Sequence, residues 1–221
     1  MISIIIPCKN RLDHLKQCIG GWLNQNYMDI ELIIVDYNCP QKTGDWLYEN
    51  FADVVKVVKA DVREKDWNLC AARNLGIKNS SGEVLGIFDA DTIMEPNFIA
   101  DCLSKLTDDN FLCGYPIGKA HGCCVVHKKN MYAVGGYNEC LKGWGFDDQD
   151  LYNRFTNGSM HDKSEILKYI DIKMIGFDEN LIDLIRHEDS LRVEYSKYKN
   201  IQATNHINSH TSLHSNCFIG L

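Results

Sequence analysis

The chain lacks any stretch built to cross a membrane. Its first apolar run, residues 2–6, is too short for a signal h-region or a membrane span. A cytoplasmic setting is expected, although a chain stripped of an anchor would read the same. No Cys-x-x-Cys occurs among the ten cysteines, so no cysteine metal signature is present. Cys123 and Cys124 are adjacent, and Cys70, Cys102 and Cys123 sit in apolar runs, where a free thiol behaves as a small hydrophobe. Reduced thiols are expected. Positive charge is also short: Lys and Arg number 23 against 30 Asp and Glu, a net charge of -7. That balance argues against a general nucleic-acid binder and does not favour a polyanionic partner. There is no linker, low-complexity tract or repeat, and 221 residues suit one domain spanning 1–221. No Gly-x-Gly-x-x-Gly follows the first strand, which excludes a dinucleotide fingerprint.

What is present reads as alternating strands and helices. Residues 1–7 form a continuous β-branched run of the kind buried on both faces, with Pro7 expected to end it. A polar loop, Cys8-Lys9-Asn10-Arg11, leads to Leu12, Leu15, Ile19 and Leu23 at helical spacing. A strand, a polar loop and a helix open a βαβ unit, and the loop lies where a nucleotide can sit. Residues 30–35 are a second strand ending in Asp36, an acid placed to meet a base or sugar or simply to start a turn. Residues 54–58 form a third strand. A helix over 67–77 carries Arg73, which suits either a diphosphate or a solvated helix face.

The strand at 84–88 ends in Asp89-Ala90-Asp91. Ligands bind beyond the carboxyl ends of strands in open α/β sheets, and hard cations take carboxylates plus phosphate oxygens. Asp89 and Asp91 are therefore candidates for holding a metal and a phosphorylated substrate, although turns after strands also favour Asp. Pro96 opens a helix with Phe98, Ile99, Cys102, Leu103 and Leu106 on its apolar face. Residues 111–115 and 122–126 are predicted strands, candidates for a hairpin, and 128–134 a short helix stopped by Gly135-Gly136.

Gly143-Trp144-Gly145-Phe146-Asp147-Asp148-Gln149-Asp150 is the second dense stretch. Two glycines let the backbone pass close to a ligand, and Trp144 offers a flat ring suited to a sugar. The three acids then open a helix, where carboxylates also favour the dipole. His187 follows an apolar run at 182–185, and histidine is the commonest metal ligand. His206, His210 and His214 lie in a polar tail expected to have no firm structure.

Together these stretches resemble the inverting glycosyltransferases of the GT-A fold, family 2. Ser3-Ile4-Ile5-Ile6-Pro7-Cys8-Lys9-Asn10-Arg11, Asp36, Ala72-Arg73-Asn74 with Gly76, and Phe88-Asp89-Ala90-Asp91 carry the donor-side likeness. Gly135-Gly136-Tyr137-Asn138-Glu139 and Gly143 to Asp148 resemble the acceptor motif of β-1,4-galactosyltransferases and chondroitin-polymerase-type enzymes. Ile185-Arg186-His187 is similar to their segment bearing a metal-binding histidine. Two departures stand out: Tyr37 replaces a usual Asp, and Asp147 a usual Glu.

The resemblance implies an α/β, Rossmann-like GT-A domain with a central mixed, mostly parallel sheet flanked by helices. Residues 1–110 would be the nucleotide-sugar-binding half, 111–190 the acceptor half and 191–221 a tail. Pro7, Asn10, Arg11 and Asp36 would line the nucleotide pocket, Arg73 would approach the diphosphate and Asp89 the ribose side. Asp91 and His187 would bind Mn²⁺ or Mg²⁺, Trp144 and Asp147 the acceptor, and Asp148 would be the catalytic base. The implied donor is a UDP-sugar, with UDP-galactose or UDP-GalNAc foremost, and the acceptor a hydroxyl of a glycan or similar molecule. The rivals are a non-catalytic nucleotide-sugar or glycan-binding module and a sugar nucleotidyltransferase. The latter wants a Gly-rich basic loop that residues 8–11 do not supply.

Overall fold

A computed structural model describes residues 1–63, 67–114, 120–143, 145–156, 170–185 and 204–206. A seven-stranded mixed sheet, flanked by helices, is its centre. The strands are β1 (Ile2–Cys8), β2 (Ile30–Asp36), β3 (Val55–Lys59), β4 (Val84–Ile87), β6 (Asn110–Cys113), β7 (Cys124–His127) and β8 (Lys173–Gly176), in the order β3-β2-β1-β4-β7-β6-β8. Only the β4–β7 and β6–β7 pairings are antiparallel. A small antiparallel ladder joins β5 (Thr92–Met94) to β9 (Ile182–Leu184).

The period of two along each strand sends side chains to two separate cores. Ile2, Ile4, Ile6, Leu32, Ile34, Leu112 and Val125 enter one. Ile5, Ile33, Val35, Phe111, Cys113, Cys124 and Val126 enter the other. Both faces are therefore buried, which is why the central strands are mostly apolar rather than strictly alternating. Helix α1 (Leu12–Leu23) packs Leu15, Cys18, Ile19 and Trp22 on the first core. Helix α3 (Leu69–Lys78) covers the second, and it lies very close to the sheet at Gly76. A Cβ there would stand 2.3 Å from Ile5 Cγ2 and 3.0 Å from Val35 Cγ2, so only glycine fits. The remaining helices are α2 (Thr43–Phe51), α4 (Phe98–Lys105), α5 (Lys128–Ala133) and α6 (Asp147–Phe155). Among the described residues, no helix is long and apolar enough to cross a membrane.

Three expectations need correction. Pro7 does not end β1, because the strand runs on to Cys8 with Pro7 opposite Val35. The β4 ladder stops at Ile5, so Pro7 has a strand on one side only, where a missing N–H is tolerated. The thiols are not all reduced: Cys140 is disulfide-bonded, to a partner outside the described residues. The tail is not wholly without structure, since residues 204–206 are helical and Asn205 is buried.

Candidate active site

The carboxyl ends of β1, β2 and β4 converge on one edge of the sheet. At the tip of β2, Asp36 accepts the backbone N–H of Cys39 at 2.7 Å and of Gly44 at 2.8 Å, one on each oxygen. It therefore shapes the loop that leads into α2. Asn10 sits in the left-handed region at φ 56° and donates its N–H to Cys39 Sγ at 3.2 Å. Arg11 precedes α1, close enough for its charge to act on Asp89 and Asp91.

Beyond β4 the chain turns through Asp89 and Asp91, with Thr92 N–H donating to the Asp89 carbonyl at 3.1 Å. The last described residue after β9, Ile185, donates its N–H to the Asp91 carbonyl at 2.9 Å. The strand that leads toward His187 is thus anchored at Asp91. His187 itself and Trp144 lie outside the described residues.

Arg73 joins the two halves of the chain. Its side chain is 1% exposed. Nη2 donates to Asp89 Oδ1 at 3.1 Å, Nη1 donates to Asp147 Oδ2, and the guanidinium lies 4.9 Å from the centre of the Tyr137 ring. Its Nε is buried with no hydrogen-bond partner among the described residues. Asn74 secures the same junction: its amide donates to Tyr137 O and Glu139 Oε1, both at 2.8 Å, and accepts Tyr137 N–H at 2.9 Å. The arginine-bearing helix and the Gly135–Glu139 stretch, separate motifs in the sequence, form one bonded unit.

The three acids that open α6 have three different partners. Asp147 takes Arg73. Asp148 Oδ2 lies 2.9 Å from His121 Nδ1, a contact that is a charge pair when the histidine is protonated and has no well-aligned hydrogen bond. Asp150 Oδ2 accepts Arg154 Nη2 at 2.6 Å and Nε at 3.1 Å, while Arg154 Nη1 donates to the carbonyls of Val134 and Gly136 at 2.7 Å. Asp150 is thus a structural acid that holds the Gly135-Gly136 turn.

The electrostatics are those of crowded acids. Burial pushes the Asp89, Asp91 and Asp147 carboxyls up from the usual range. Arg73 draws Asp89 and Asp147 partly back, Arg11 does so for Asp91, and like-charged neighbours push Asp89 and Asp147 up again. Asp148 goes the other way: burial raises it, but His121 outweighs burial and holds it below the usual range. An acidic pair served only by oxygen atoms suits a hard divalent cation such as Mg²⁺ or Mn²⁺. Among the described residues, however, no group of three or more His, Cys, Asp or Glu is arranged to hold a metal.

Two contributors have no signal in the local sequence. His121 precedes β7 outside any motif. Asn205 reaches the loop ahead of α6 from the tail: its Oδ1 accepts Lys142 N–H at 3.2 Å, and its Nδ2 donates to the carbonyls of Lys142 at 2.9 Å and Gly145 at 3.1 Å. Beside it the His206 ring lies 4.7 Å from that of Phe146, a residue at φ 66° between Gly145 and α6. A clasp of this kind stabilises a loop whose backbone is left-handed at three described positions, Gly143, Gly145 and Phe146. Asn205→Ala is expected to lower local stability by about 1–3 kcal/mol, because the Lys142 and Gly145 groups lose their partner. Hydrogen exchange should then accelerate at Lys142, Gly143 and Gly145 and stay unchanged in β1 and β2. Unaltered exchange at those three amides would remove the clasp.

Comparison with known proteins accords with this geometry. The profile of "Glycosyl transferase family 2" matches residues 3–175. Glycosyltransferase GlyG of Streptococcus pneumoniae is 30% identical over 154 residues, covering 70% of this chain and 50% of GlyG. Among solved structures, the mannosyltransferase PcManGT of Pyrobaculum calidifontis, in complex with GDP-Man and Mn²⁺, superposes with a TM-score of 0.68 at 15% identity. It covers 93% of this chain and 64% of PcManGT. TarS 1-349 of S. aureus in complex with UDP-GlcNAc gives 0.61 at 13% identity, covering 85% of this chain and 59% of that one. These likenesses establish the GT-A fold, and the chain spans half or less of the length of the curated relatives it matches first. Because that family match runs over residues 3–175, most of its length, the chain belongs to glycosyl transferase family 2.

Proposed function

We propose that the protein is an inverting, metal-dependent glycosyltransferase. It moves a hexose or N-acetylhexosamine from a UDP-sugar to a hydroxyl of a glycan or related acceptor. The observation that carries this reading is the buried Arg73 bridge between Asp89, at the tip of β4, and Asp147, at the start of α6. It brings donor-side and acceptor-side acids to one place, as a single displacement between two bound substrates requires. The nucleotide sugars and Mn²⁺ held by the structural neighbours support the donor and metal assignments.

In this reading Pro7, Asn10, Arg11 and Asp36 border the nucleotide. Asp89 faces the ribose side, and Arg73 supplies positive charge to the diphosphate end. Asp91 and His187 would hold Mn²⁺ or Mg²⁺, which supplies Lewis-acid stabilisation of the departing nucleoside diphosphate. Asp147 accepts a hydrogen bond from the acceptor, Trp144 packs on its sugar, and Asp148 takes the proton of the attacking hydroxyl. Attack from the face opposite the leaving group inverts the anomeric centre, with oxocarbenium character at the sugar.

A thermal-shift screen of nucleotide sugars with and without Mn²⁺ tests the donor assignment. A specific donor raises the melting temperature by mass action, and more so with the metal. Transfer should stop in EDTA and return on adding Mn²⁺. Transfer indifferent to EDTA would sink the metal assignment, and no shift with any UDP-sugar would sink the donor class.

A further inference from the structure

His121 is placed by construction rather than by chance. It lies in a turn closed by Cys123 N–H donating to Ala120 O at 3.0 Å. The turn is tied to α6, since Tyr152 Oη donates to the Cys123 carbonyl at 2.9 Å. Tyr152 is one helical turn beyond Asp148, so both project from the same side of α6. Gly122, at φ +88°, brings the turn close to the acids: a Cβ there would stand 3.8 Å from Arg73 Nη2 and 3.9 Å from Asp148 Cβ. The His121 side chain is 52% exposed, whereas that of Asp148 is 10% exposed. One edge of the pair thus faces solvent and the other the buried acids.

Resting on the assignment of Asp148 as the base, we propose that His121 is a positioning residue that holds the Asp148 carboxylate in place to take the acceptor proton. Nδ1, 2.9 Å from Oδ2, is close enough for a protonated ring to hold the carboxylate by charge, and the exposed ring can exchange its proton with water. The charged groups facing the pair are Arg73 from α3 and Asp147 beside Asp148 on α6. Contact with Asp148 pushes His121 up from the ordinary histidine range, against the opposing effect of burial. The same contact holds Asp148 down. A carboxylate held down stays ionised to lower pH, so its function as a base is lost only as pH falls through that lowered value.

The test is the pH dependence of kcat/KM for His121→Ala and His121→Asn beside Asp148→Asn. Removing the imidazolium should move the acid limb of His121→Ala upward by about 1–3 pH units, the usual effect of one close opposite charge. His121→Asn retains a short donor without the charge. It should recover acceptor KM while its acid limb stays displaced. An acid limb unmoved in both His121 variants, with Asp148→Asn inactive, overturns the His121 proposal and leaves the base assignment standing. Near-normal transfer by Asp148→Asn overturns both. A structural role alone would lower kcat or stability without moving the limb, and that outcome also counts against the proposal.

Discussion

Asp148→Asn is expected to keep UDP-sugar affinity and lower transfer about 10²–10⁴-fold, the usual contribution of a positioned general base. The substitution is nearly isosteric, and Asp148 lies in the first turn of α6, where an amide can replace a carboxylate without disturbing the helix. Acids at a helix N-terminus are also common for electrostatic reasons alone, and that bland account predicts something different. Losing one such charge costs about 0.3–1 kcal/mol of stability and should not affect transfer. Measuring thermal unfolding, UDP-sugar binding and transfer on the same preparation separates the two. Unaltered binding with transfer lost supports the base. Near-normal transfer with a small loss of stability returns Asp148 to the role of a dipole partner.

Arg73→Met is expected to be the most damaging single change at this site. It leaves Asp89 and Asp147 without the guanidinium they share, and breaking a buried pair from one side costs about 3–5 kcal/mol. Methionine roughly fills the volume, so the loss reports on charge more than on a cavity. The pH dependence has a defined sign. Asp147 is already raised above its ordinary value by burial, with Arg73 the main opposing influence. Without Arg73 it rises further, so the folded state binds more protons than the unfolded state and stability falls as pH rises. Denaturant unfolding of Arg73→Met should therefore show a larger deficit at pH 8 than at pH 5. Arg73→Lys keeps a charge but cannot bridge two carboxylates with separate nitrogens, and should recover only part of the loss. An Arg73→Met protein as stable as the parent at both pH values would show that the bridge contributes nothing to the fold.

Much of residues 1–110 is legible in the sequence because its signals are local. The runs at β1, β2 and β4 are mostly apolar and do not alternate strictly, which marks strands buried on both faces. Asp36, Asp89 and Asp91 follow those runs directly, so the ends of the strands place them. Helix α2 carries no clear sequence signal, because only Thr43, Gly44 and Leu47 of it are buried, too short a stripe to stand out as a period. Strands β5 and β8 have three and four residues, and they are strands only by virtue of β9 and β6 beside them. The three acids at 147, 148 and 150 looked alike in sequence and differ entirely in partner: an arginine from α3, a histidine ahead of β7 and an arginine one turn on.

The sequence by itself determined the layered α/β class, the positions of the principal strands along the chain and the identity of the acids at their tips. These follow from side-chain periodicity and from which residue comes next, and both are properties of short stretches. Only the tertiary structure decided what those acids do to one another. Arg73 meets Asp89 across 16 residues and Asp147 across 74, and Asn205 reaches Lys142 across 63. Charge and hydrogen bonding act through spatial distance in a poorly screened interior, and that distance exists only once the chain has closed on itself.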